Sequence, residues 1–127
     1  MKTVLVADDE ASIQTLYKVE LGREGYDVVL AASAMEAIQQ SRTCNPDLVI
    51  MDIHMPGMDG IEAMGRILEA NNQVPVIINT AYSSYKDSFL SWSADAYLTK
   101  SSDLTELKQT VRDILERAEQ RAPVADS

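Results

Sequence analysis

Short apolar runs that end abruptly in polar residues alternate along the chain with longer stretches of helical period. The runs are Val4-Leu5-Val6-Ala7, Val28-Val29-Leu30, Leu48-Val49-Ile50-Met51, Val76-Ile77-Ile78 and, with a weaker signal, Ala96-Tyr97-Leu98. Strands covered on both faces read as continuous apolar, β-branched stretches rather than as alternating ones. Between them, apolar residues recur every three or four positions, as one buried helix stripe requires. Ile13, Leu16, Tyr17 and Leu21 form one such stripe before Gly25. Ile61, Met64, Ile67 and Leu68 form a second, and Leu104, Leu107, Val111, Ile114 and Leu115 a third. A short Ser-rich stretch, 83–92, is predicted as a further helix.

Helix starts are also written locally. Ser33-Ala34-Met35-Glu36, Asp59-Gly60-Ile61-Glu62 and Asp103-Leu104-Thr105-Glu106 each have the form of a capping box. In that motif two side chains satisfy backbone N–H groups that the first turn leaves without partners. Alternating strand and helix units predict an α/β domain with a parallel sheet covered on both sides. The expected domain spans 1–120. Residues 121–127, with Pro123 and no periodicity, are expected to be a flexible tail or the start of a linker.

Composition narrows the partners. The chain has 127 residues, a size that suits one domain, and a net charge of −9. That balance argues against direct nucleic-acid binding, which needs clustered Lys and Arg. No apolar run approaches the length of a membrane span, and the N-terminus lacks the long apolar region of a signal peptide. The single Cys44 has no internal disulfide partner, so a reducing, cytoplasmic location is the default expectation.

The informative feature is where polar residues fall. The first strand runs into Asp8-Asp9, the third into Asp52, the fourth into Thr80, and the fifth into Lys100 after one Thr. Open parallel sheets bind ligands at the carboxyl ends of their strands, beside the point where the winding reverses. Adjacent first and third strands would bring these carboxylates into one crevice. A hard divalent cation with oxygen ligands would relieve their repulsion, and Mg²⁺ is the expected ion, with Mn²⁺ as a substitute. One His and one Cys cannot build a zinc site. Asp52 could then act as a carboxylate nucleophile toward phosphorus, with Lys100 pairing the new charge and Thr80 donating to a phosphoryl oxygen.

Each residue has an ordinary reading when taken singly. Asp8-Asp9 suits a helix N-terminus, Asp52 and His54 suit a solvated loop, Thr80 suits a strand end, Lys100 suits the surface, and Tyr97 suits the core. Their coincidence after the correct strands is what favours a site.

These residues resemble a known family, the receiver domains of bacterial two-component response regulators, of the chemotaxis-regulator kind. The match covers about 2–117. It rests on Val4-Leu5-Val6-Ala7-Asp8-Asp9-Glu10, on Asp52-Ile53-His54-Met55-Pro56-Gly57-Met58-Asp59-Gly60, on Asn79-Thr80-Ala81 and on Asp95-Ala96-Tyr97-Leu98-Thr99-Lys100. The resemblance implies a flavodoxin-like, doubly wound five-stranded sheet of order 2-1-3-4-5. It implies phosphorylation of Asp52 from a histidine kinase or a histidine phosphotransfer protein. Asp9 would touch Mg²⁺ directly and Asp8 through water, with the His54 carbonyl as a further ligand.

Thr80 and Tyr97 would be the switch pair, reshaping the face made by helix 83–92, the last strand and the last helix. Ala81 matches a position kept small beside the phosphoryl group, and His54 and Tyr82 would flank that group. Such a protein catalyses only its own phosphorylation and slow autodephosphorylation, so no turnover enzyme is expected. It would act on an output protein or an effector domain outside this sequence. One departure stands out: the family usually has Pro after the lysine in a cis peptide, and this chain has Ser101.

Competing readings fare worse. A phosphatase of the haloacid dehalogenase type needs Asp-x-Asp, whereas the third strand leads into Asp52-Ile53-His54. An FMN carrier of the flavodoxin kind would not tolerate Asp8-Asp9-Glu10 against a phosphate, and no glycine supplies a Walker-type loop. A degenerate receiver serving only as a docking surface would not require the Asp8, Asp9, Asp52, Thr80 and Lys100 set.

Overall fold

The computed structural model describes residues 1–53, 55, 60–71, 73–81, 94–101 and 103–121. The strands are β1 (Thr3–Ala7), β2 (Asp27–Ala31), β3 (Leu48–Met51), β4 (Val76–Thr80) and β5 (Ala96–Thr99). They form one parallel sheet in the order β2-β1-β3-β4-β5, the flavodoxin-like order that the resemblance implies. The described helices are α1 (Ala11–Arg23), α2 (Ala34–Cys44), α3 (Gly60–Ala70) and α4 (Thr105–Arg121). The helix expected over 83–92 lies outside the described residues, as do His54, Asp59, Tyr82 and 122–127.

Strand alternation sorts the core into two layers. Leu5, Ala7, Val49, Met51, Val76 and Ile78 face α2 and α3, meeting Ala37, Ile38, Met64 and Ile67. Val4, Val6, Leu48, Ile50 and Ile77 face α1 and α4, meeting Tyr17, Leu21, Val111 and Ile114. Every residue of β3 and β4 is buried, which explains why their sequences show no polar alternation. At the sheet's N-terminal edge, Asp47 Oδ2 accepts from Thr3 N–H at 2.8 Å, and Asp95 Oδ2 accepts from Val76 N–H at 2.9 Å.

Helix ends follow local chemistry, with differences from the expected boxes. Ser33 Oγ accepts from Glu36 N–H at 3.1 Å, the first half of a capping box. The Glu36 carboxylate takes the N–H of Ala32 instead of that of Ser33. Before α4, Asp103 Oδ1 accepts from both Thr105 N–H (3.0 Å) and Thr105 Oγ1 (2.7 Å), so this cap closes two residues on rather than three. After α1, Gly25 takes φ +95° and its N–H bonds the Gly22 carbonyl at 3.0 Å, a turn that Cβ-bearing residues disfavour. Leu16, expected on the buried stripe, is exposed; only Tyr17 and Leu21 of α1 are fully buried.

Candidate functional site

Register brings the carboxylates together. Ala7 pairs with Met51, so Asp8 and Asp52 leave their strands side by side. The backbone holds them there: Asp52 N–H donates to the Ala7 carbonyl and Asp8 N–H to the Ala31 carbonyl, both at 3.0 Å. On the other flank Thr80 pairs with Thr99, and Lys100 N–H donates to the Thr80 carbonyl at 2.7 Å. Among the described residues there is no cis peptide, so Ser101 follows Lys100 through a trans bond.

The Lys100 ammonium lies among three carboxylates. It stands 2.7 Å from Asp8 Oδ2, 3.0 Å from Asp52 Oδ2 and 3.0 Å from Glu10 Oε1. Asp8 is 2% and Asp52 4% exposed, an unusual depth for acids, which are seldom buried unless paired. Burial pushes the Asp8 carboxyl above its ordinary value, and the hydrogen bonds from Lys100 and Glu10 offset only part of that. Burial acts against the Lys100 charge as well, but the hydrogen bonds to Asp8, Asp52 and Glu10 outweigh it and push the ammonium's pKa up.

One carboxylate oxygen each of Asp8, Glu10 and Asp52 lies within 4.8 Å of the others. These are hard oxygen donors without thiolate or imidazole among them, so the set fits a small divalent cation such as Mg²⁺. Asp9 is exposed and outside this group. Glu10 was missed in the sequence: it reads as a helix-start acid, and nothing local signals its reach to a lysine 90 positions away.

Around this cluster, Thr80 is fully buried at the end of β4 and Ala81 is exposed just beyond it. Tyr97 is half-buried on β5, packed against the α2–α3 layer of the core. On the other face Asn79 Nδ2 donates to Tyr17 Oη at 2.6 Å, a buried hydrogen bond that ties β4 to α1. The structure thus brings Asp8, Asp52 and Lys100 together with Thr80 beside them. His54 and Tyr82 are outside the described residues.

Known proteins resemble the chain over most of its length. Residues 4–112 match the model of the response regulator receiver domain. The chain is 37% identical over 127 residues to the alkaline phosphatase synthesis transcriptional regulatory protein PhoP of Bacillus subtilis, covering 98% of this chain and 53% of PhoP. It superposes with a TM-score of 0.85 on the response regulator TrrA of Thermotoga maritima solved with Mg²⁺-BeF, at 43% identity over 90% of this chain and 99% of that one. TrrA in complex with the histidine kinase ThkA matches with a TM-score of 0.83 at 43% identity, covering 91% of this chain and 99% of that one.

The chain belongs to the receiver domain family of two-component response regulators. It spans about half the length of the curated relatives it matches.

Proposed function

We propose that Asp52 accepts a phosphoryl group from a histidine kinase or a histidine phosphotransfer protein, and that the modified domain switches an output partner. The observation that carries this reading is the approach of two buried carboxylates, Asp8 and Asp52, to one cation, the Lys100 ammonium at 2.7 and 3.0 Å. Acids held that deep and close suit a site whose charge changes in use. Bound there, Mg²⁺ would offset the charge on phosphoryl oxygens as they approach Asp52.

The chain's residues divide the remaining work. An Asp52 oxygen attacks phosphorus; the O–P bond forms as the N–P bond of the phosphohistidine breaks, and the imidazole nitrogen keeps the electron pair. Lys100 then pairs with the phosphoryl dianion through charge-assisted hydrogen bonds. Asp52, Asp9 and the His54 carbonyl would hold the metal, with Asp8 reaching it through water, as the family resemblance implies. Thr80 donates to a phosphoryl oxygen, and Tyr97 follows it inward to remodel the face beside β5. Small Ala81 leaves room for the donor, and His54 and Tyr82 would flank the phosphoryl group, as the family resemblance implies. Hydrolysis returns the carboxylate and releases phosphate, so the chain acts only on itself.

Relatives twice as long, among them a transcriptional regulator, support an effector domain or separate output protein as the recipient of the signal. On this reading 1–120 is the receiver, 121–127 a tail or linker, and the cytoplasm its compartment. The test is incubation with acetyl phosphate and Mg²⁺, read by intact mass. Wild type should gain one phosphoryl group only with the metal present, and Asp52→Asn should gain none. Equal labelling of Asp52→Asn would refute the assignment, and no labelling of either would favour a docking role.

A further inference from the structure

Glu10 stands where a helix cap belongs, yet it does not cap. It immediately precedes α1 in extended backbone, and its side chain makes no capping hydrogen bond. Its N–H donates to Asp8 Oδ1 at 2.9 Å, which fixes it beside the acid cluster. Its carboxylate instead crosses to Lys100 Nζ at 3.0 Å. The three N–H donors of the ammonium therefore meet three acids, two buried and one, Glu10, with a side chain 58% exposed.

We propose that Glu10 is a positioning residue for Lys100, keeping the ammonium at the crevice mouth when Asp8 and Asp52 turn to a divalent cation. The inference rests on the phosphoacceptor reading above. With its side chain only 11% exposed, Lys100 is costly to strip of every acceptor. Without a third partner it would compete with the cation for Asp8 and Asp52. Glu10, on a longer stem and open to solvent, gives it an acceptor that the cation does not need. One charge-assisted hydrogen bond is kept, and the remaining donors are available to a phosphoryl oxygen. Glu10 is near enough to the other acids to be a metal ligand itself, and the two roles predict different couplings.

The experiment is a double-mutant cycle on the full 127-residue chain, with the Mg²⁺ dissociation constant read by calorimetry. Lys100→Met should bind Mg²⁺ more tightly than wild type, because the competing ammonium is gone. Glu10→Gln should weaken Mg²⁺ binding about three- to fivefold in the wild-type background, the range expected of a partly exposed ion pair. In the Lys100→Met background the same substitution should have almost no effect. Should Lys100→Met not fold, Lys100→Gln closes the same cycle.

An equal loss in both backgrounds would make Glu10 a ligand or a bulk charge and overturn the proposal. No loss in either background would overturn it too. A wild type that binds no Mg²⁺ at millimolar concentrations would remove the underlying functional reading along with it.

Discussion

Lys100 bonds two buried acids that would otherwise repel each other, and Tyr17 and Asn79 form a second buried polar contact within the α1–α4 layer. The second contact gives a prediction free of the metal. Burial raises the Tyr17 phenol above its ordinary value of 10.0, with the Asn79 hydrogen bond opposing this in part. The folded chain thus holds that proton more tightly than the unfolded chain does. The associated stability is fully present below about pH 10 and is lost as pH rises through the folded value. Urea midpoints across that range should fall less steeply for Tyr17→Phe than for wild type. At neutral pH the variant should be less stable by about 1–3 kcal/mol, since Asn79 loses a buried acceptor.

Asp8, Asp52 and Lys100 were legible as site candidates because each follows an apolar run, so their alignment needs only the sheet order. Glu10 was not, because its role depends on a side chain at the far end of the chain. Leu16 was misjudged because α1 carries apolar residues on more than one face, Leu16 and Val19 both being exposed.

Strands and helices were readable wherever burial was complete. The β3 and β4 runs were visible because both faces are covered, and α2 because Ser33 is a strong local start signal. Cap details were less readable: the same Ser/Asp-x-x-Glu spelling closes differently at Ser33 and at Asp103. Ser33→Ala should cost about 1 kcal/mol in chemical denaturation. Ile77→Ala, at a fully buried position in the α1–α4 layer, should cost about 2–5 kcal/mol. Two ion pairs tie α4 to α1 and its C-terminal cap, Lys108 to Glu20 and Arg112 to Glu24, each at 2.8 Å. Because they are partly exposed, Lys108→Ala should cost less than about 1 kcal/mol, and added salt should shrink the difference.

At the scale of the molecule, the doubly wound sheet puts its acids at the carboxyl ends of β1 and β3, on a chain whose net charge is −9. A cation that binds only the folded form must raise its stability. At 100 times its dissociation constant, Mg²⁺ should add about 2.7 kcal/mol, seen as a higher thermal midpoint. Asp8→Ala should lose most of that increment; equal increments in both proteins would mean that the ion binds elsewhere. The α/β fold class was the most legible feature, because alternating strand–helix units leave few topologies open, whereas the strand order came from the family resemblance and matches the observed sheet.

The most direct test is a crystal structure of the chain with Mg²⁺ and beryllofluoride. Beryllium should bond an Asp52 carboxylate oxygen, the ion should lie beside Asp8 and Asp52, and Lys100 should move from those acids onto the fluorides. An ion bound away from Asp8, or Lys100 still bridging Asp8 and Asp52 with no adduct at Asp52, would contradict it.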